Sequence, residues 1–288
     1  MGGGDRRVEP HVELLTAGWT SHPGLVARRG GGRRPVRFPA LVAVVHHPDG
    51  VILFDTGYAP RVQRAVGRGI DRVYGALLPV HVTQGETAVE QLARRGIAAE
   101  DVTTIVLSHL HADHLGGLRD FPAARIVVDP RAVTAMRGSS GLGRLSRGWL
   151  PALLPDDVVD RVLDPTSLPA VEADLAPLGE VTPAHALVAD GSVVVVPLPG
   201  HSDEHLGLLV RTPVGELLLL GDAVWHLRAV THGDLPHPVV RLITRDWAGY
   251  RRTVVDLARL ARRRPDLLLL PSHDEDAIAH VQGLLAAS

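Results

Sequence analysis

Ser108-His109-Leu110-His111-Ala112-Asp113-His114-Leu115-Gly116-Gly117 is the stretch on which the fold turns. It follows Thr103–Leu107, a short, β-branched apolar run that reads as a buried strand. In an extended segment, residues i and i+2 project to the same side. His109 and His111 can therefore grip one metal ion, while Asp113 and His114 turn towards a second. Imidazole and carboxylate ligands together suit Zn²⁺. A histidine-rich surface loop is the competing reading. Three His and one Asp within six residues, directly behind a buried strand, argue against it.

The same arrangement recurs along the chain. Val193–Val196 runs into Pro197-Leu198-Pro199-Gly200-His201, Glu216–Leu220 into Gly221-Asp222, and Leu267–Leu270 into Pro271-Ser272-His273-Asp274. Strands that each end in a metal-competent group can converge those groups at one sheet edge and hold them rigidly. Around them, Leu41–Val45 and Val51–Phe54 flank Pro48-Asp49-Gly50, a hairpin signal, and lead into Asp55-Thr56-Gly57. Thr83-Gln84-Gly85-Glu86 reads as a capping box for a helix that Gly96 stops. Asp246–Arg263 carries Trp247, Tyr250, Val254 and Leu257 at helical spacing, and Pro265 ends it. A closing helix is expected at Glu275–Leu285. Strands mixed with helices throughout predict one α/β sandwich over residues 36–288. Residues 1–35, rich in Gly and Arg, are expected to be mobile. Residues 131–180 show no clear strand and read as a lid-like insertion, in which Trp149, Leu150, Leu153 and Leu154 could cover an apolar acyl chain.

Composition narrows the chemistry. The chain has 288 residues, 45% hydrophobic and 22% charged, enough for a substantial core. It contains no Cys, so disulfides and thiolate chemistry are excluded and any metal must be held by His, Asp or Glu. It contains no Lys either, which removes Schiff-base chemistry and a P-loop lysine. Histidine is plentiful, at 16, against 3% aromatics, which directs attention to metal or acid–base work. A net charge of -2 gives no field favouring nucleic acid. No apolar run reaches the roughly 18–20 residues of a membrane span. The first seven residues lack the apolar stretch of a secretory signal, so a cytoplasmic location is expected.

The 108–117 stretch resembles the signature of the metallo-β-lactamase superfamily. The resemblance extends to Phe54-Asp55-Thr56-Gly57 upstream and to Gly200-His201, Gly221-Asp222 and Ser272-His273-Asp274 downstream, in the family's order, covering roughly residues 40–280. It implies a four-layer αβ/βα sandwich with a two-metal site between its halves. Carried over by position, His109, His111 and His201 would hold the first metal, and Asp113, His114 and His273 the second. Asp222 would bridge both, with Asp55 behind the ligands. His205 falls at the last position of the family's Gly-His-x-x-Gly-His stretch and is read as hydrogen-bonding behind the ligands instead of ligating. Having His111 instead of Glu points away from the di-iron branch, and zero Cys excludes the zinc β-lactamases with a Cys ligand. Gly116-Gly117 and Asp274 look most like the acyl-homoserine lactonase-like branch. There a Tyr commonly lies three residues after the bridging Asp; here that residue is Trp225.

What the resemblance implies is a hydrolase holding two zinc ions, or other divalent metals, with a hydroxide between them that attacks a small lactone, ester or thioester. Asp113 is the expected proton donor to the leaving group. Trp225 and His226 are the expected substrate or oxyanion contacts, with core packing the alternative for Trp225. The rivals are a phosphodiesterase or a mononuclear-iron sulfur dioxygenase on the same fold, and a binding protein without catalysis. The expected partner is a small molecule, with neither nucleic acid nor membrane. Oligomeric state is left open.

Overall fold

The computed structural model describes residues 9–27, 30–172, 174–175, 183–242, 244 and 246–287. Its strands are β1 (His11–Pro23), β2 (Pro35–His47), β3 (Gly50–Phe54), β4 (Val80–His81), β5 (Val102–Val106), β6 (Arg125–Val127), β7 (Val162–Leu163), β8 (Ala170–Val171), β9 (Ala184–Ala186), β10 (Val193–Pro197), β11 (Leu206–Thr212), β12 (Gly215–Gly221) and β13 (Leu268–Pro271). They form two mixed sheets, ordered β4-β1-β2-β3-β5-β6-β7 and β13-β12-β11-β10-β9-β8.

Side-chain alternation explains the layering. On β2, Leu41, Ala43 and Val45 face the second sheet while Val42 and Val44 join the core beneath the helices of the first half. On β10, Val193 and Val195 face inward, and Val194 and Val196 pack outward against the helix Trp247–Arg263. Leu217 and Leu219 of β12 are likewise inward, Leu218 and Leu220 outward. A strand apolar on both faces must be covered on both, which gives helix, sheet, sheet, helix. The expected four-layer αβ/βα sandwich is therefore the observed architecture.

Strand direction then collects the polar ends. β3 and β5 are parallel neighbours. β12 and β13 are also parallel, and β10 reaches β12 through two antiparallel pairings, so β10, β12 and β13 run the same way. The residues that follow these five strands, Asp55, His109, His201, Asp222 and His273, meet along one seam between the sheets.

Three expectations are corrected. The segment 1–35 was expected to be mobile, but His11–Pro23 is a long strand whose pairing with β2 spans His11–His46 to Pro23–Pro35. Its length of alternating apolar residues is masked in sequence by Thr, Ser and Gly. The capping box forms one turn later than predicted. Thr87 caps the helix Ala88–Ala93 with Glu90, while Glu86 only accepts the Thr83 amide. The segment 131–180 supplies an edge strand to each sheet, β7 and β8. Leu150, Leu153 and Leu154 are core residues of the first half, so they are not an acyl cover; residues 173 and 176–180 lie outside the described set. No helix among the described residues is long and apolar enough to cross a membrane.

Candidate metal centre

Two groups of ligand-competent side chains sit side by side: His109, His111, His201 and Asp222, then Asp113, His114 and His273. All seven residues expected to ligate are thus brought together. Within each group the ligand atoms lie within 4.8 Å of one another. Asp222 faces both. Its Oδ2 is 3.6 Å from His201 Nε2 and 4.0 Å from His109 Nε2, and its Oδ1 is 3.0 Å from His273 Nε2 and 3.3 Å from His114 Nε2. Asp113 Oδ2 completes the second group, 3.5 Å from His273 Nε2 and 3.6 Å from His114 Nε2.

Hydrogen bonds fix which ring nitrogen keeps a lone pair. His111 Nε2 donates to the Arg147 carbonyl at 3.0 Å, because a carbonyl can only accept, and this leaves Nδ1 free. That Nδ1 lies 2.8 Å from His109 Nε2 and 3.2 Å from His201 Nε2. His273 Nδ1 donates to the Pro39 carbonyl at 2.7 Å, leaving Nε2 free. His114 Nδ1 donates to Asp55 Oδ2 at 2.7 Å. The Ser108 hydroxyl gives its one proton to the same carboxylate, so its oxygen accepts from His109 Nδ1 at 3.0 Å. Such partners set tautomer and ring orientation in metal sites. His205 Nε2 accepts the Asp222 backbone N–H at 3.0 Å, so its lone pair is spent on positioning Asp222. Asp55 and His205, expected behind the ligands, thus contact His114 and the Asp222 backbone.

Backbone conformation serves the same end. Asp55 is fully buried with φ at 62°, a left-handed conformation uncommon outside Gly but tolerated by Asp. This turn aims its carboxylate at the Ser108 amide, 2.7 Å away. Gly221, at φ 52°, lies where a Cβ would come within 2.8 Å of Ser108 Cβ and 2.9 Å of the His205 ring. Only Gly lets Asp222 enter so close.

Electrostatics divides the cluster. Burial, then neighbouring imidazoles, pushes His109 well below the usual imidazole range; burial pushes His201 well below it too and lowers His111. His205 is pushed down by burial to about 3. These rings are neutral, as ligation requires. At His114 burial opposes the charge, but the carboxylates of Asp113, Asp55 and Asp222 outweigh it and raise the group well above its ordinary value. At Asp222 burial again opposes the charge, and His273 and His114 overcome it and hold the carboxyl well below the usual range.

The donor set fits divalent metal. Neutral nitrogen lone pairs converge at hydrogen-bond distances in the first group. In the second, His114 Nε2 and Asp222 Oδ1 are buried with no hydrogen-bond partner. Orphaned buried groups are costly unless something binds them.

Two cavities adjoin the centre. The larger, about 550 Å³, opens onto His109, His111 and His201 and is walled by Arg147, Trp149 and Glu204 among others. The smaller, about 190 Å³, is bounded by Phe38, Trp225, His226 and His273. Trp225 differs from its expected role. Its indole N–H donates to Asp222 Oδ2 at 2.9 Å, so the donor is taken by the carboxylate between the two groups instead of facing a substrate carbonyl. The ring is nearly buried, edge-on to His201 and Phe38. His226 stands at the small cavity with Nδ1 2.9 Å from Asp274 Oδ2. Asp274, in turn, caps the helix Glu275–Ala286. Sequence reading missed the carbonyls of Pro39 and Arg147, because any residue supplies a carbonyl and only the fold says which one is near. It also left Glu204 without a role.

Comparison with known proteins identifies the family. Residues 35–273 match the family model described as the metallo-beta-lactamase superfamily. A probable metallo-hydrolase of Mycobacterium tuberculosis is 31% identical over 250 residues, 82% of this chain and 74% of the relative. An N-acyl homoserine lactonase of Agrobacterium fabrum is 28% identical over 85% of this chain and 83% of its own length. The solved structure of an N-acyl homoserine lactone hydrolase, with the product N-hexanoyl-L-homoserine at its catalytic metal centre, superposes with a TM-score of 0.71 at 17% identity, covering 95% of this chain and 96% of that one. The chain belongs to the metallo-beta-lactamase superfamily.

Proposed function

We propose that this protein is a hydrolase that holds two zinc ions and opens a small lactone, ester or thioester. One observation carries the reading: Asp222 directs one carboxylate oxygen at each of two ligand groups. His109, His111 and His201 would hold one ion, Asp113, His114 and His273 the other, and Asp222 would serve both. When bound, zinc supplies an ionised water at neutral pH and a Lewis acid for a carbonyl oxygen.

The chain's own residues supply the rest. Asp222, fixed by Trp225 Nε1 on its side chain and His205 on its backbone, holds the spacing between the two groups. Asp113 is the more exposed of the two carboxylates, its side chain 13% accessible against 5% for Asp222. It can therefore take the proton that the attacking water gives up and hand it to the departing oxygen or sulfur. The 550 Å³ cavity is of the size that holds a small molecule beside His109, His111 and His201. The Agrobacterium relative's lactonase name supports a lactone as the substrate class.

A panel of lactones, thioesters, phosphodiesters and β-lactams, assayed on zinc-loaded protein with metal content measured in parallel, tests this. Chelator-sensitive turnover of lactones or thioesters with two zinc per chain is expected. Turnover of phosphodiesters alone, or full activity without metal, would overturn it.

A further inference from the structure

We propose that Arg147 binds a carboxylate carried by the substrate, so that a lactone, ester or thioester with an acidic tail is favoured over its neutral counterpart. The inference rests on the hydrolase reading above and adds the charge of the substrate.

The turn Arg147-Gly148-Trp149 is built against the metal centre. Gly148 has a φ of 63°, and a Cβ there would meet the His111 ring at 3.0 Å. Glycine therefore lets the backbone close on that ring, and the Arg147 carbonyl accepts from His111 Nε2 at 3.0 Å. The residues on either side of the glycine then pack on each other. The guanidinium carbon of Arg147 lies 4.7 Å from the centroid of the Trp149 ring. Both residues line the larger cavity beside His109, His111 and His201. Trp149 is buried there, whereas Arg147 is only half-buried and so open to a ligand.

Stacking holds a guanidinium by its face and leaves its N–H edge for a partner. Among the described residues no carboxylate pairs with that edge, and it makes no hydrogen bond. The other arginine of this wall, Arg131, is spent: its Nε and Nη2 donate to Asp129. Asp203 is not free. Burial pushes the Glu204 carboxyl above its ordinary range, towards the neutral form. The wall thus presents a cationic fork beside the ligands with no protein anion on it. A carboxylate meets such a fork with two parallel hydrogen bonds, whereas a carboxamide offers one acceptor and turns a donor towards it. A substrate whose carbonyl sits at His109, His111 and His201 can reach Arg147 with its tail, because all four residues line the same cavity of about 550 Å³.

The test uses α-acylamino-γ-butyrolactones whose tails are diacid chains from malonyl to adipoyl, each compared with its terminal carboxamide, on the full-length zinc-loaded protein. At the chain length that reaches the fork, wild-type kcat/KM is expected to be about tenfold higher for the carboxylate, the lower end for a charged hydrogen bond because Arg147 is partly exposed. Most of the difference should lie in KM, because the contact is made before and during reaction alike. In Arg147→Gln the ratio should fall to near one. Arg147→Lys, which keeps the charge and loses the fork, should retain part of it. Added NaCl should shrink the wild-type ratio and leave that of Arg147→Gln unchanged. The ratio of two substrates on one preparation does not depend on how much protein is folded, so an arginine that merely packs on Trp149 would leave it unmoved. Equal turnover within every pair by the wild type, or a preference that survives in Arg147→Gln, overturns this inference and leaves the hydrolase reading standing. No turnover of any lactone, ester or thioester overturns the hydrolase reading and this inference with it.

Discussion

Asp55→Asn isolates the support behind the ligands. The substitution keeps the side chain's shape, and Asn tolerates the 62° φ of this position, so the turn itself is preserved. What changes is hydrogen-bond polarity. The Asp55 carboxylate accepts the Ser108 amide at 2.7 Å, the Ser108 hydroxyl at 2.8 Å and His114 Nδ1 at 2.7 Å, all fully buried. An amide keeps one acceptor for the Ser108 backbone and turns a donor towards the other two. His114 can then satisfy it only by accepting at Nδ1, which moves its proton to Nε2, the nitrogen that faces Asp113 and Asp222. That tautomer has no lone pair for metal. A charge-assisted hydrogen bond to a buried group is worth about 1.5–3 kcal/mol. Loss of such a supporting partner typically weakens metal binding ~10–100-fold, about 1.4–2.7 kcal/mol. The two figures agree. Competition titration against a chromophoric chelator should therefore show one zinc equivalent weakened by ~10–100-fold, with a smaller effect on the other, transmitted through Ser108 to His109. Two equivalents bound with wild-type affinity would refute the tautomer argument.

Asp222→Ala should cost both metal equivalents, whereas His273→Ala should retain the one held by His109, His111 and His201, as elemental analysis after dialysis would show. Trp225→Phe removes a donor from Asp222 Oδ2 and should weaken zinc about tenfold in the same chelator titration; lower turnover on zinc-saturated protein at unchanged affinity would instead place the indole on the substrate. Asp274 is buried, which opposes its charge, but His226 and the amides of Leu227 and Ala277 outweigh burial and hold its carboxyl below the usual range. With the folded value lowered, its stabilisation is present above the unfolded carboxylate value of about 3.9 and is lost as pH falls through the folded one. Asp274→Ala should cost ~0.5–2 kcal/mol at neutral pH through the lost helix cap, and calorimetric Tm should fall less steeply than in wild type below about pH 4.

The fold was legible where one residue type or one period decides the outcome. The runs behind His109, His201, Asp222 and His273 became β5, β10, β12 and β13, each within a residue or two at either end. The Pro48-Asp49-Gly50 turn joined β2 to β3 because no other local geometry suits it. β1 was illegible for the converse reason. Its apolar residues are interrupted by Thr16, Gly18 and Thr20, and its stability comes from pairing with β2, a partner more than ten residues away along the chain. β7 and β8 are two-residue edge strands that carry no periodicity at all.

The same division runs through the site. The seven candidate ligands were readable because few side chains can bind a metal and these followed strand ends. Ligand state was not. Whether His111 binds through Nδ1 or Nε2 depends on the Arg147 carbonyl, 36 residues away, and His273 on the Pro39 carbonyl, 234 residues away. Trp225 shows the consequence most clearly. Its spacing from Asp222 was read as a route to substrate, yet one turn of chain after β12 brings the indole N–H back onto the carboxylate itself. A donor three residues from a buried anion meets that anion before it meets a ligand, since the unpaired alternative is costly for both groups. Substrate contact at this centre must then come from groups whose polar atoms are still unspent after folding. By that criterion the wall of the larger cavity, which opens onto His109, His111 and His201, is the place to look.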